Sequence, residues 1–530
     1  MSALNRRLSL LATPGHHQSL TEIRRGIEKE SLRVTPEGEL SQRSHPLTLG
    51  STLTHPSITT DFSEALLEFI TPPLTSIPEV LENLENIHRY TYHNIGDELL
   101  WVNSMPCVLG RDEDIPLAEY GSSHVGRMKK IYRRGLGHRY GRLMQTIAGI
   151  HYNWSLPDAC WELLKTDAAY AGALQDYKTA GYFGLIRNFR RHFWLLLYLF
   201  GGAPAVCRSF VAGRQHRLQP FNGDGHSLHM PYATSLRMGD LGYQSKAQEA
   251  LVVCYNNLTS YIRHLRQALT EPYPPYQNIG LRDASGEYLQ LNTHLLQIEN
   301  EFYSTIRPKR TTERGEAPIQ ALWRRGIEYI EVRCIDLNPY TPLGIDAEQM
   351  YFMEVFLMHC LLSDSPATDD SEYRQLLVNQ HRTVYQGRDP NLGLLRGKEE
   401  IPLRVWAEHL FRELRDVADL LDMNMSNGEH RGAVDQFNIR LLDPRRTPAA
   451  RLLEEMKTSG LTYFQTALRH AQQQRQYFLD QLPTSTQVTR FQQLAEQSLA
   501  DQAKIEAEDT GSFEDYLATF YAQYDFSLDP

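Results

Sequence analysis

Several signals that would assign a chain quickly are missing here. The 530 residues include only six cysteines, at 107, 160, 207, 254, 334 and 360, scattered and without a C-x-x-C pair. Such sparse usage excludes a disulfide scaffold and suits a reducing cytosol, where buried thiols act as small hydrophobes. No uninterrupted apolar stretch approaches the roughly 18 residues that a membrane span needs. The basic opening, residues 1–12, has too short an apolar run for a signal peptide. An excess of cations is lacking too: 54 Lys and Arg stand against 64 Asp and Glu, a net charge of −10. That balance argues against nucleic acid as the main partner. Gly397-Lys398 is followed by Glu399 and has no glycine five residues before it, so it is no phosphate-binding loop. Neither H-E-x-x-H nor G-x-S-x-G occurs, which removes the commonest hydrolase classes.

What is present begins with paired carboxylates. Residues 26–33, GIEKESLR, lead from a turn glycine into a β-compatible stretch, and an extended chain puts Glu28 and Glu30 on one face. Two unit charges ~5 Å apart repel by roughly 3 kcal/mol at an effective dielectric near 20. Either these carboxylates face water or something positive lies between them. Residues 59–71, TTDFSEALLEFIT, carry Asp61 and Glu68 and stop at Pro72-Pro73, as a strand or a helix. Within residues 146–155, His151, Asn153 and Ser155 oppose Ile150, Tyr152 and Trp154. Within residues 327–335, Tyr329, Glu331 and Arg333 oppose Ile330, Val332 and Cys334. An antiparallel sheet packs one such face on the core and leaves the other free. If the free faces line one concavity, it is a carboxylate-rich basin with one histidine.

The rest of the chain sets the organisation. Apolar content of 41% and charge of 22% allow a sizeable core, in two to four domains or one large enzyme body with helical additions. Helices are expected at about 77–99, 168–200 and 246–270, the last marked by Leu251, Tyr255, Leu258, Ile262, Leu265 and Leu269. Residues 132–142 read as a glycine-punctuated basic loop or short helix, and 288–291 as a strand. Beyond Pro339 the pattern is almost entirely helical. Asp346 is placed to cap a helix running to about Leu362 with Gln349 as capping-box partner, and Trp406, Leu410, Leu414, Val417 and Leu421 mark another helix. Amphipathic segments follow at 448–459, 463–480 and 487–507. The expected division is a sheet-containing catalytic body with helical insertions over 1–340 and a helical region over 341–530 packed on it, as one large enzyme unit.

Oxygen donors dominate the set Glu28, Glu30, Asp61, Glu68 and Glu331 with His151, which selects Mg²⁺ or Mn²⁺, whereas zinc calls for more His or Cys. Taken singly, His151 also reads as a hydrogen-bonded core residue, and Glu331 with Arg333 as an ordinary ion-pair set. Arg307, Lys309 and Arg310 place three cations within four residues, suited to phosphate oxygens or to a solvated turn balanced by Glu299 and Glu301. Arg237, near Tyr232 and Tyr243, is a candidate carboxylate clamp with a similar solvated alternative.

Seven blocks in one order resemble the bacterial type 1 glutamate–cysteine ligase family. They are EKESLR (28–33), TDFSEALLEFITP (60–72), QTIAGIHYN (145–153), PYATSLR (231–237), LQIENE (296–301), IRPKR (306–310) and GIEYIEVR (326–333). The resemblance runs from about residue 20 to 345 and fades into the helical part. It implies an α+β, glutamine-synthetase-like antiparallel sheet curled into a funnel. It also implies a cytoplasmic enzyme that uses ATP, L-glutamate and L-cysteine to make γ-glutamylcysteine, the first step of glutathione synthesis, with no obligate protein partner. Carried over residue by residue, Glu28, Glu30, Asp61, Glu68, His151 and Glu331 hold the divalent cations, and Arg333 contacts the transferring phosphoryl group. Arg237 contacts the cysteine carboxylate, and Phe62, Tyr132, Leu136, Gln145, Tyr243 and Tyr303 wall the cysteine side-chain pocket. Two other readings compete: a glutamate–amine ligase with a different acceptor, and a non-enzymatic metal-binding or helical interaction protein.

Overall fold

The fold was analysed in a computed structural model that describes residues 2–528 apart from 107, 243–245, 250, 425 and 426. At its centre are strands β1 (Arg24–Val34), β2 (Ile58–Thr60), β3 (Leu66–Ile70), β4 (Leu99–Leu100), β5 (Ile150–Ser155), β6 (Ile306–Lys309) and β7 (Tyr329–Ile335). They form one antiparallel sheet in the order β2–β3–β1–β5–β7–β6, with β4 beside β1. The stretch over residues 59–71 is therefore two strands joined by a tight turn, and Pro72-Pro73 stops the second because proline gives the ladder no N–H.

Register decides which side chains meet. Glu30 pairs with Glu68, Glu28 with His151, and Glu331 with both Asn153 and Arg307. Directly paired residues share a face, so these seven side chains project from one side of the sheet. The other side carries Ile27, Phe69, Ile150, Tyr152, Trp154, Ile330 and Val332, all buried. Helix α1 (Ile77–Tyr92) packs on this back face against β1 and β3. Lys29, between the two glutamates, also points backward, where its Nζ lies 2.6 Å from His88 Nε2. Burial lowers its pKa to about 7.

Helix α2 (His124–Tyr140) crosses the polar side, so the glycine-punctuated stretch is helical up to Gly141, whose φ of 84° ends it. Other expectations need correction. The first long helix ends at Tyr92, and Leu99 belongs to β4, since Asn94 and the left-handed Gly96 interrupt the periodic run. The expected helix over 246–270 is broken into one turn, Lys246–Glu249, and α4 (Leu258–Thr270), with Leu251 and Tyr255 outside both. Asn257 stops it short by accepting from Ser260 N at 2.8 Å, an N-cap rather than a mid-helix position. Tyr288–Leu291 is no strand, because Tyr288 makes only an isolated bridge with Arg282 and finds no ladder. Cys207 takes part in a disulfide, contrary to the reading of all thiols as free, since spacing along the chain does not reveal proximity in space; Cys160, Cys254, Cys334 and Cys360 are free.

Beyond Pro339 helices dominate, among them α5 (Ala347–Leu362), α6 (Asp370–Gln386), α7 (Leu403–Leu421) and α8 (Glu429–Leu442), interrupted by the hairpin Gly393–Arg396 and Glu399–Pro402. Asp346 caps α5 by accepting from Gln349 N at 2.8 Å, so Gln349 contributes its backbone amide. Helix Tyr463–Leu479 packs against α1, and Phe513–Ala522 against α2. A buried polar cluster ties β1 to the helices. Arg25 Nη2 lies 2.5 Å from both Glu354 oxygens, His430 Nδ1 lies 2.8 Å from Asp422 Oδ1, and His430 Nε2 stands 3.8 Å from Glu354, an ion-pair distance.

Burial works against a charged His430, but Asp422 and Glu354 outweigh it and raise its pKa to about 9. A raised pKa favours the folded state while the ring is charged. That contribution, about 3 kcal/mol, is complete below pH 6.5 and lost as pH rises through 9. The stability difference between wild type and His430→Gln in denaturant unfolding is therefore expected to shrink between pH 6.5 and 9. A difference independent of pH in that window contradicts the assignment.

Candidate active site

The polar face of the sheet gathers its carboxylates around one imidazole. His151 Nδ1 lies 3.0 Å from Glu28 Oε2 and 3.9 Å from Glu331 Oε1, and its Nε2 lies 3.9 Å from Glu30 Oε1. One donor atom from each of Glu28, His151 and Glu331 falls within 4.8 Å of the others. Asn153 Nδ2 donates to Glu28 Oε1 at 2.8 Å, and Gly149 N donates to Glu30 Oε2 at 2.6 Å. Gly149 has a steric reason to be glycine, because a Cβ there would overlap the Arg237 guanidinium.

Cations border one flank. Glu331 accepts from Arg333 Nη1 at 3.1 Å and Lys309 Nζ at 3.3 Å. β7 shifts register against β5 between Val332 and Ile335, a bulge of the kind that re-aims a side chain, and Arg333 lies within it. Burial opposes ionisation of Glu331, but Lys309, Arg333 and His151 hold its carboxyl well below the usual range. Glu28 is lowered by its hydrogen bond to His151 against the effect of burial. The opposite flank behaves differently. Burial and the carboxylates of Glu28, Asp61 and Glu30 push Glu68 well above the usual range, and burial also raises Glu30. The backbone carbonyl of Asp61 accepts from Arg133 Nε on α2. Lys129, on the same face of α2, has its pKa lowered to about 8 by burial and by Arg133, against the pull of Glu68 and Asp61.

A cavity of about 620 Å³ opens in front of this cluster, bordered by His151, Arg237, Arg333, Tyr303, Gln248 and Thr305 and, farther out, by Arg190, Tyr373 and Gln380. Arg237 is buried, donates to Arg333 O at 2.9 Å and stands 3.6 Å from Asp336. The solvated reading of this arginine is therefore set aside. Tyr303 OH donates to Gln145 Oε1 at 3.1 Å, and Gln248 Oε1 accepts from Tyr303 N at 3.0 Å. Phe62, Tyr132 and Leu136 are buried and, among the described residues, do not border the cavity; Tyr243 lies outside the described residues.

The solvated-turn reading of residues 307–310 is overturned as well. Arg307 is buried in β6 and donates to the carbonyls of Asn300 and Phe302, while Glu301 is engaged by Arg139 at 2.8 Å. Arg307, Lys309 and Arg310 border a second cavity of about 370 Å³ whose apolar side is Leu265, Pro318, Ile319 and Leu322. Lys129, Arg133, Asn153 and Gln248 were not foreseen. Asn153 carried a signal in its place beside His151 in the alternation, and Arg133 lies in the basic stretch over 132–142.

The family model for glutamate–cysteine ligase matches residues 8–383 of this chain. The chain belongs to the glutamate–cysteine ligase family. It is 50% identical to the glutamate–cysteine ligase of Saccharophagus degradans over 96% of both chains. It is 48% identical to that of Alcanivorax borkumensis over 98% of this chain and 100% of the relative. Its fold matches the crystal structure of the Francisella tularensis glutamate–cysteine ligase in complex with AMP, at a TM-score of 0.88 and 38% identity, covering 94% and 97% of the two chains. A bifunctional glutathione synthetase from Pasteurella multocida shares the fold at a TM-score of 0.70 and 23% identity.

A carboxyl whose pKa is raised in the folded state destabilises that state once it must ionise. In the presence of a chelator, Glu68→Gln is expected to stabilise the protein by on the order of 1 kcal/mol at neutral pH. The gain should fade as pH falls below about 4.5, where the unfolded chain is protonated too. Chemical unfolding across pH measures this; a destabilised variant at neutral pH contradicts the repulsion.

Proposed function

We infer that this chain is an ATP-dependent ligase joining the γ-carboxylate of L-glutamate to the amine of L-cysteine, the first step of glutathione synthesis. The observation that carries the reading is the cluster of Glu28, His151 and Glu331, from separate parts of the chain, joined through His151 to a cavity that Arg333 and Arg237 also border, in a member of this family. In the reaction the γ-carboxylate attacks the γ-phosphorus of ATP and ADP leaves. The cysteine amine then opens the γ-glutamyl phosphate, forming the amide and releasing phosphate.

We propose the following roles. Glu28, Glu30, Asp61, Glu68, His151 and Glu331 hold divalent cations, Mg²⁺ or Mn²⁺. The donor chemistry supports this, being oxygen-rich with one imidazole, and so does the mutual repulsion that pushes Glu68 upward. When bound, such cations offset the charge of the triphosphate and the attacking carboxylate. Arg333, steadied by Glu331, contacts the transferring phosphoryl group, and Arg237 takes the cysteine carboxylate with its fork of donors. Tyr303, at the cavity, and Gln145, its hydrogen-bond partner, face the cysteine thiol; the buried Phe62, Tyr132 and Leu136 do not border that cavity. Arg307, Lys309 and Arg310 face the nucleotide, whose base suits the partly apolar cavity beside them.

The sheet is proposed to serve as a glutamine-synthetase-like funnel, with residues 1–340 as catalytic body and 341–530 as the helical region packed on it. A cytoplasmic location suits these substrates.

Glu331→Gln is expected to lower turnover by at least about 10²–10³-fold, as loss of a key electrostatic group does, with the unfolding transition retained. Near-wild-type turnover removes Glu331 from the machinery. In a coupled ADP-release assay with glutamate, kcat/KM is expected to be highest for cysteine among cysteine, 2-aminobutyrate, putrescine and ammonia. A higher value for another amine identifies the chain as a ligase for that acceptor.

A further inference from the structure

Away from the acidic basin, three helices bring a second group of ligand-type side chains together. His192 ends the helix α9 (Leu174–His192), while His359 and Cys360 lie in the last turn of α5. Each offers one donor atom within 4.8 Å of the others. The Nδ1 atoms of both histidines are buried without a hydrogen-bond partner. The other nitrogen of His359, Nε2, lies 2.8 Å from Glu413 Oε2 on α7. A proton on Nε2 facing that carboxylate leaves Nδ1 as a bare lone pair. This is the state in which imidazole binds metals, and a carboxylate behind the ring is the usual device for orienting it. The His192 and His359 rings lie with their centroids 5.8 Å apart. Each buried nitrogen without a partner has lost its water without replacement, a cost that one shared ligand would relieve.

We propose that His192, His359 and Cys360 form a binding site for one transition-metal ion of the zinc class, with Glu413 as the positioning residue for His359. Two imidazoles and a thiolate suit a borderline-soft cation and leave one tetrahedral position for water, whereas Mg²⁺ prefers oxygen. Binding replaces the Cys360 S–H bond by a metal–sulfur bond, and the proton leaves to solvent. The thiolate and Glu413 balance the dication. Of the neighbouring cations, Arg191 is already paired with Glu372 at 2.6 Å and Arg396 stacks over Trp406. Half-buried His192 supplies the way in from solvent. The ion would clamp the ends of α9 and α5 and, through Glu413, α7. That role is structural and separate from ligation chemistry.

Co²⁺ titration of the full-length protein in excess Mg²⁺ tests this, because cobalt bound by a thiolate gives an intense near-ultraviolet sulfur-to-metal band. One saturable equivalent is expected. The band should disappear in Cys360→Ala, and affinity should fall about 10–100-fold in Glu413→Gln and at least as much in His192→Ala. It should persist in Glu331→Gln, which distinguishes this site from the acidic basin. If Cys360→Ala does not fold, the half-buried His192 decides. Absence of the band in wild type, or undiminished cobalt affinity in His192→Ala, overturns the proposal.

Discussion

Repulsion between carboxylates on a single sheet face is the constraint around which this molecule is arranged. Strand alternation sends Glu28 and Glu30 the same way, and antiparallel register sets Glu68 directly opposite Glu30 and His151 directly opposite Glu28. In a chain selected for stability alone such a face would be solvated or neutralised. Here it is largely buried; Lys309 and Arg333 contact it on the β6–β7 flank, and Lys129 and Arg133 reach its Asp61 side from α2. Glu331 is ionised by Lys309 and Arg333, while Glu68 is driven toward its protonated form. The face is thus polarised: one edge has its countercharge in direct contact, while at the other Glu68 stays pushed upward despite Lys129 nearby.

Holding that arrangement requires a stiff support. The back of the sheet is apolar apart from Lys29 and Arg25, and the buried Arg25–Glu354 pair ties β1 to α5. The C-terminal helices return to α1, which backs the sheet, and to α2, which carries Lys129 and Arg133. The stability lost at the acidic face is offset by packing elsewhere, the usual relation between a functional site and its scaffold.

The cavity in front of the cluster adds direction. Arg237 and Arg333, linked through the Arg333 carbonyl, border it beside His151, so positive charge faces the cavity while negative charge sits deeper against the sheet. Guanidinium groups at a cavity suit anionic reactants, which is what the roles proposed for Arg237 and Arg333 require. The second cavity, beside Arg307, Lys309 and Arg310, extends this positive rim away from the sheet.

Much of this was legible in the chain, since period-two alternation is a local property. The three strands carrying Glu28, His151 and Glu331, the helical bias beyond Pro339 and the Asp346 cap all follow from neighbours within a few residues, whereas 59–71 left strand and helix open. The collinear blocks also carried the family resemblance. Local patterns failed where a capping asparagine cut short a helical run at Asn257, where an apparent strand at 288–291 found no ladder, and where Cys207 met a disulfide partner. Tertiary structure alone decided that Glu30 faces Glu68, that Arg307 is buried rather than solvated, and that Lys129 and Arg133 reach the acidic face from α2. Alternation says which residues share a face; register and packing say which charges confront each other, and with charges that few ångströms of separation decides the chemistry.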